Sequence, residues 1–543
     1  FKPHCSSERG VQKDPNMPIT PNDEPFFPQQ WYLENTGQTG GTPGLDINVR
    51  PAWELATGAG VSIAINDTGV STAFPELAQN YDASRSGNFL PGSATTGGGP
   101  DASFGNPAHG TGVATLAAAA DDSARFLGAA PEATLASLTG LGSLDALRKY
   151  EQFDVVNASW KVNRLFGDSF NVPEFSSKGQ ALSEAAENGR AALGTIMVFA
   201  AGNDFSAEGI FGLKEYGVDN ANYHNFQNSR FTIAVGAIDD EGTFSAPDQP
   251  LGFTQPGSPI LVSAPGTQIV TNDLPGDLSV APNDTTSTQG TSFSAPLVSG
   301  VAALMLDVNP NLGWRDVQEI LAYTAEQNDT TQSSWQVNGA ENWNGGGLHT
   351  NFNYGFGLVD AGAAVRVADV WKETDTSSNE VSATASNDRT VTISRSLAPE
   401  PIIQTVDISE NIQVENVAVD IVLAHEDVGD LSVTLTSPSG TSSTLADTPN
   451  AGDLGPRQTT NEGFRLTSNE FYGERSEGEW TLSVSDLQFG LDGTLFGWEL
   501  TTFGSPSDAD DTYVYTDEYA RSLPGTRQEL TDASGTDDLN AAA

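Results

Sequence analysis

The chain has 543 residues, the apolar content of a globular protein, and 71 acidic against 24 basic residues, for a formal charge of −47. That length predicts several domains, each able to bury its own core. The charge excludes nucleic-acid phosphates and anionic membrane surfaces as partners, and it suits a salty or calcium-rich medium whose counterions screen the repulsion. A single cysteine, Cys5, excludes an internal disulfide framework and a cysteine-rich metal site. No apolar run is read as reaching transmembrane length, and no basic-then-apolar signal peptide is visible. The chain begins at Phe1 rather than Met, so an upstream segment is expected.

Residues 1–30 are rich in proline and polar residues and read as an extended N-terminal arm. Over 31–372, short apolar runs alternate with helical patterns. Buried strands are expected at 61–65, 134–138, 154–157, 195–200, 231–235 and 259–262, and helices at 109–120, 177–190, 293–306 and 313–325. That alternation predicts an α/β domain with a mostly parallel sheet covered by helices on both faces, and function at the carboxyl ends of its strands. The Ser/Thr/Asn-rich stretch 373–401 reads as a linker. Residues 402–504 switch to period-two alternation broken by Pro-Ser-Gly and Leu-Asp-Gly turns, the pattern of an antiparallel β-sandwich or jelly roll. The last stretch, 505–543, is an acidic tail too poor in apolar residues to fold by itself.

Four residues carry chemistry. Ser292 follows the turn-prone Gln289-Gly-Thr291 and opens an apolar run with Pro296 near its start, so it lies in the positive end of a helix beside free N–H groups. His109 begins the small-residue helix of His109-Gly-Thr-Gly-Val-Ala114. Asp67 ends a strand in Ile65-Asn-Asp-Thr-Gly69, and Asn203 closes another in Val198-Phe-Ala-Ala-Gly-Asn203. Each has an ordinary structural reading: helix cap, helix-start ring, turn former, turn amide. Together, at strand ends and helix starts, they supply a nucleophile, its base, the base's carboxylate and an oxyanion donor.

In the order Asp, His, Asn, Ser, these motifs resemble the subtilase family of serine peptidases, and within it the kexin/furin-like, proprotein-convertase branch. Phe27-Pro-Gln-Gln-Trp-Tyr-Leu33, Trp314-Arg-Asp-Val317 and Tyr354-Gly-Phe-Gly-Leu-Val-Asp-Ala361 are similar to that branch. Leu423-Ala-His-Glu-Asp-Val-Gly-Asp-Leu431 and Thr436-Ser-Pro-Ser-Gly-Thr441 resemble its P (homo B) domain. The resemblance implies a serine endopeptidase acting on protein or peptide substrates through an acyl-enzyme on Ser292. The substrate would add as a strand along Ser159 and Trp160. It also implies structural calcium (Ca2+) at Glu24, Glu76 and Asp122, maturation with a prosegment or chaperone, and a monomer. In this branch pocket carboxylates bind paired Lys/Arg. Here Thr68 stands where a second Asp is usual, Ser159-Trp-Lys-Val-Asn-Arg164 lacks the acidic cluster, His224 falls at another pocket acid and Gln255 replaces a glutamate. The expectation is therefore a peptidase without strict dibasic preference, with Thr68, Arg164 and His224 near the substrate. A dibasic processing enzyme and a catalytically silent binding module are the alternatives. The tail, Asp511-Thr-Tyr-Val-Tyr515 with Gly535-Thr-Asp-Asp538, resembles the opening of the calcium-binding module of serralysin-type exoproteases. That likeness implies a secreted, bacterial protein exported by a type I route.

Overall fold

The computed structural model describes residues 19–92, 97–204, 206–208, 214–216, 219–244, 253–274, 285–393, 400–425, 428–447, 463–487, 492–507, 512–522 and 535–543. Residues 1–18 of the expected arm, and the tail motif's Asp511, lie outside them.

The first unit is built on seven strands: β1 (Ser62–Ile65), β2 (Gly87–Asn88), β3 (Thr134–Thr139), β4 (Val155–Ala158), β5 (Ile196–Ala200), β6 (Thr232–Ile238) and β7 (Ile260–Pro265). They lie in the order β2-β3-β1-β4-β5-β6-β7, every pair parallel. Strands β1, β4 and β5 are buried at every residue, as expected where helices cover both faces. The helices longer than two turns in this unit are α1 (His109–Ala118), α2 (Pro173–Ala192), α3 (Thr291–Val308), α4 (Trp314–Thr324) and α5 (Ala361–Val370). Helix α3 corrects one sequence expectation. It is long and apolar enough to cross a membrane, yet it lies almost wholly inside the protein, packed against α1, α5 and strands β4–β7. Ala, Ser and Gly along it let those neighbours approach closely: a Cβ on Gly300 would lie 2.5 Å from that of Ala129.

The second unit is all antiparallel. One sheet joins β8 (Val381–Asn387), β9 (Val391–Ile393), β11 (Ile412–His425), β14 (Phe464–Ser468) and β16 (Gly493–Pro506). The other runs β10-β15-β12-β13 through Ile402–Ile408, Gly478–Asp486, Leu431–Thr436 and Ser442–Asp447. Burial alternates along β12, β15 and much of β11, and the inward residues (Val419, Leu435, Trp480, Leu482, Leu500) form a core of their own.

Two stretches depart from the sequence reading, and a third takes the support it was read as needing. Residues 373–401 are not simply a linker: β8 and β9 both pair with β16, burying Ala383 and Ile393 in the second core with Val381 packed against it. Residues 19–30 are not an extended arm. They make two 3-10 turns (Pro21–Asp23 and Phe27–Gln29), bury Phe27, and pin Gln30 to Leu127 through Nε2 on the carbonyl (2.7 Å) and Oε1 on the N–H (3.0 Å). The tail does not fold alone but on the first unit. Thr512–Val514 pairs in parallel with Asp538–Asn540, and Val514 exchanges backbone hydrogen bonds with Asn342 and Asn344.

The units meet at residues 219–228 and at α4. Asn222 Nδ2 donates to the carbonyls of Leu445 and Thr467, Asn225 and Asn228 donate to that of Arg465, and Tyr223 packs into the second core. Arg315, 1% exposed, crosses from α4 to clasp Glu415 on β11.

Candidate active site

Asp67 lies just past the carboxyl end of β1, fully buried. Its Oδ1 accepts the N–H of Thr68 (2.7 Å) and faces Nδ1 of His109 at 2.8 Å, while Oδ2 is buried without a partner. His109 is the first residue of α1. The Thr68 hydroxyl holds that helix start in place by accepting the N–H of Gly110 at 3.0 Å. Only glycine fits after the histidine: a Cβ on Gly110 would come within 2.7 Å of the Gly69 carbonyl oxygen. Burial lowers the basicity of the His109 ring, but the charge and hydrogen bond of Asp67 outweigh it and the pKa is raised.

Ser292 is the second residue of α3, delivered by Gly290, whose φ of 139° suits glycine. Pro296 does not fall in the free first turn, as the sequence suggested. Helix α3 begins at Thr291, so the ring removes the N–H that would have bonded to the Ser292 carbonyl. The hydroxyl of Ser159 takes that place, donating to Ser292 O at 2.8 Å. Ser159 is fixed in turn by Asn157 Nδ2 (2.9 Å), and Asn157 Oδ1 by Ser299 of α3 (3.0 Å). The Ser292 hydroxyl rests on the Ser159 carbonyl oxygen at 3.4 Å. Phe293 lies against the His109 ring, centroids 5.5 Å apart, so the start of α3 abuts the start of α1.

Asn203, exposed beyond β5, turns its Oδ1 onto the N–H (2.8 Å) and hydroxyl (3.0 Å) of Thr291. The amide is thereby oriented with Nδ2 as its remaining donor, one residue from Ser292. A cleft of about 270 Å³ opens beside these groups, lined by Asp67, Thr68, Phe104, Gly105, Asn106, His109, Leu141 and Ser159. Asp67 is the one carboxylate among those lining residues, and His109 already holds it.

The other residues expected near substrate separate. Thr68 lines the cleft. Trp160 is buried, its indole N–H on Asn66 Oδ1 (3.1 Å) and its ring edge-on to Phe199 and Phe226; its side chain is core. Arg164 is exposed and is not among the cleft residues. His224 is fully buried, with Nε2 on both oxygens of Asp219 (2.9 and 3.1 Å), because its segment docks on the second unit. Sequence reasoning missed Lys161. Its ammonium lies between Asp204 (2.8 Å) and Asp219 (3.0 Å), and burial, which would lower its pKa, is outweighed by those two charges. A lysine directly after Ser159-Trp160, in the stretch that lacks the expected acidic cluster, was the signal. Its stem passes below Gly202, beside Gln255, whose side-chain oxygen and nitrogen are both buried without partners.

Glu24 and Glu76 are buried and Asp122 half-buried on three separate segments, Glu76 in the short helix Pro75–Ala78 with Arg125 Nε 3.6 Å from its Oε1. Glu24 Oε1 accepts the N–H groups of Asp122 (2.9 Å) and Ser123 (2.6 Å), and Asn272 donates to Glu76 Oε1 (2.9 Å). The second oxygen of each glutamate is buried without a partner. Burial, with Asp122 and Asp121 nearby, pushes Glu24 up to about 7, and Glu76 and Asp122 are raised by burial and by neighbouring acids. Orphaned hard oxygens that repel one another fit a calcium ion.

A parallel α/β sheet with a serine, a histidine and an aspartate at its strand ends and helix starts, followed by an antiparallel sandwich, defines a subtilisin-like protein with an appended P domain. The Subtilase family model matches residues 58–357 and the proprotein convertase P-domain model residues 414–502. The chain belongs to the subtilase family, in its kexin/furin-like form. It is 31% identical over 509 residues to proprotein convertase subtilisin/kexin type 7 of Homo sapiens, covering 90% of this chain but 61% of that protein. Neuroendocrine convertase 2 of Mus musculus is 30% identical over 556 residues, with 96% of this chain and 80% of that protein covered. The solved serine protease of Aeromonas sobria, in complex with the chaperone ORF2, superposes with a TM-score of 0.78 at 25% identity, covering 91% and 98% of the two chains.

Proposed function

We propose that the chain is a serine endopeptidase. Ser292 attacks the peptide carbonyl, His109 takes its proton at Nε2, and Asp67 on Nδ1 holds the ring's tautomer and stabilises the imidazolium. Asn203 Nδ2, with the N–H of Ser292 at the positive end of α3, receives the oxyanion. The 2.8 Å contact between Asp67 and His109, on the wall of a cleft shared with Ser159, is the observation that carries this reading. A fluorophosphonate probe labels the wild type and fails on Ser292→Ala; equal labelling of both sinks the assignment.

Calcium at Glu24, Glu76 and Asp122 belongs to the same reading: bound there, it would neutralise the buried acids and tie the 19–30 turns to the loop after α1. Specificity is expected to lack a strict dibasic requirement. Supporting this are Asp67 as the one carboxylate, already held by His109, among the described residues lining the cleft, the Phe104 and Leu141 walls, and Lys161 close to Asn203 through Gly202. Cleavage of a randomised peptide library reads this directly, and dominant Arg or Lys at the residue before the cut would show a dibasic processing enzyme instead. Extracellular action, and maturation aided by a prosegment or chaperone as the Aeromonas sobria complex suggests, complete the proposal.

A further inference from the structure

The acids packed around α4 divide by what they touch. Asp316 is fully used: Oδ2 accepts the N–H groups of Gly313 (2.6 Å) and Asp375 (2.9 Å), and Oδ1 the indole of Trp371 (3.0 Å). Glu415 clasps Arg315, and Glu380 pairs with Arg230 at 3.1 Å. Three carboxylates have no cation of their own, Glu319 on α4 and Glu373 and Asp375 just after α5, each with an oxygen within 4.8 Å of the others; Asp375 Oδ1 accepts one neutral hydrogen bond, from Asn379 Nδ2 at 2.7 Å. Arg315 comes only to 3.9 Å of Asp375, and its guanidinium is already taken by Glu415, the Thr376 carbonyl and Ser505. Lys372 points to Asp538 instead (2.8 Å).

A second observation comes from the other side of the cluster. Tyr472, 2% exposed and belonging to the second unit, has a buried hydroxyl with no partner. The charged and polar groups that act on it are Glu415, Glu319, Tyr323 and Arg315, the last already clasped by Glu415, and its ring stands edge-on to that of Tyr323 at 6.0 Å. Tyr323 Oη accepts from Asn342 Nδ2 at 2.8 Å, and Asn342 Oδ1 is likewise buried and unpartnered. Three acids, two of them buried, are thus bordered by the idle Tyr472 hydroxyl, with the idle Asn342 Oδ1 reached only through Tyr323. Closely spaced acids and an unpartnered buried hydroxyl both cost free energy, and a cation held by the three acids would lower that cost.

We propose that Glu319, Glu373 and Asp375 hold a divalent cation of the calcium class that fastens the two units and the tail together. The donors are hard oxygens, with neither histidine nor cysteine among them, which favours calcium over zinc or copper. Glu373 is exposed and gives the ion a route from solvent, and the Thr512 hydroxyl of the tail donates to it and fixes its direction. Glu319 reaches the ion from α4, Glu373 and Asp375 from the connector, and Tyr472 closes the place from the second unit. Burial, reinforced by Glu373, Glu415 and Asp375, holds the Glu319 carboxyl well above the usual range, so the rival occupant is a shared proton.

The test does not depend on the peptidase reading, because it uses the full chain carrying Ser292→Ala and measures binding. After chelation the protein is titrated with terbium while tyrosine is excited. Emission sensitised through Tyr323 and Tyr472, displaced by calcium, is expected to fall at least tenfold in Glu319→Gln and in Asp375→Asn and to persist in Glu24→Gln. In chelator, Glu319→Gln is expected to melt at or above the parent, since a buried like charge has gone. In calcium it loses part of the parent's rise in Tm. Sensitised emission unchanged in both variants, or Glu319→Gln raising Tm equally with and without calcium, would mean a proton-sharing cluster and overturn the proposal.

Discussion

The two units use polar residues in opposite ways. In the first, parallel strands buried on both faces end in loops, and the residues of the proposed chemistry sit there: Asp67 after β1, Ser159 after β4, Asn203 after β5. Several polar atoms at those ends are left without partners, Asp67 Oδ2 and the Gln255 amide among them. The second unit alternates inward apolar with outward polar residues, and its polar contacts with the first unit are spent on docking, as where Asn222 bonds the carbonyls of Leu445 and Thr467. On the proposed reading, one unit reacts and the other supports it.

Substitutions can break or sharpen that contrast. Ser292→Ala should lower kcat about a million-fold while leaving the melting temperature in place, a magnitude known from triad replacements; a large fall in Tm would mean Ser292 is structural. Trp480→Ala removes the centre of the second core, where the indole stands edge-on to Phe471, and should cost about 3–5 kcal/mol. If the second unit supports the first, calorimetry shows both unfolding earlier and activity at elevated temperature falling in parallel. An unchanged first-unit transition would break the comparison. Asn203→Ala should reduce kcat about 10²–10³-fold with little change in KM, the mark of a donor used mainly in the transition state.

Two further tests use pH. Burial pushes Glu470 in the second unit up to about 7 from 4.5, and both carboxylate oxygens lack partners. A folded-state pKa above the unfolded one means folding disfavours the charged form. Its cost is therefore absent below pH 4.5, grows as pH rises toward 7, and is full above it. Glu470→Gln should accordingly stabilise at pH 8, by at most about 3 kcal/mol, and do nothing at pH 4. The smallest effect expected is at His109. Its pKa is raised, so activity that needs the neutral ring should fall with acid above the ordinary imidazole value, and Asp67→Asn should move that limb to lower pH.

Much of the first unit was legible because burial on both faces leaves apolar runs, and all six expected strands coincide with β1 and β3–β7 to within a few residues. The four helices read from small-residue and amphipathic patterns appear as α1 to α4. Strands β8 and β9 were not legible: Val391-Thr-Ile393 is too short and polar at its borders to stand out, and it becomes a strand because β16 offers it an edge. The tail is the same case, since Val514 gains a place only against Asn342 and Asn344. His224 looked like a pocket residue from its motif, but its segment is enclosed by the second unit.

The amino-acid order by itself determined the alternation of strands and helices, the switch to a sandwich, and which side chains could act as nucleophile, base, acid and amide. Those follow from neighbours a few residues apart, where periodicity and turn chemistry operate. Only the tertiary structure decided that Ser159 replaces the hydrogen bond Pro296 removes, that Lys161 lies between Asp204 and Asp219, and that Glu319 meets Glu373 and Asp375. Such pairings join residues that are distant along the chain or on separate loops. Their charges and hydrogen bonds depend on which surfaces pack together, and no local pattern encodes that.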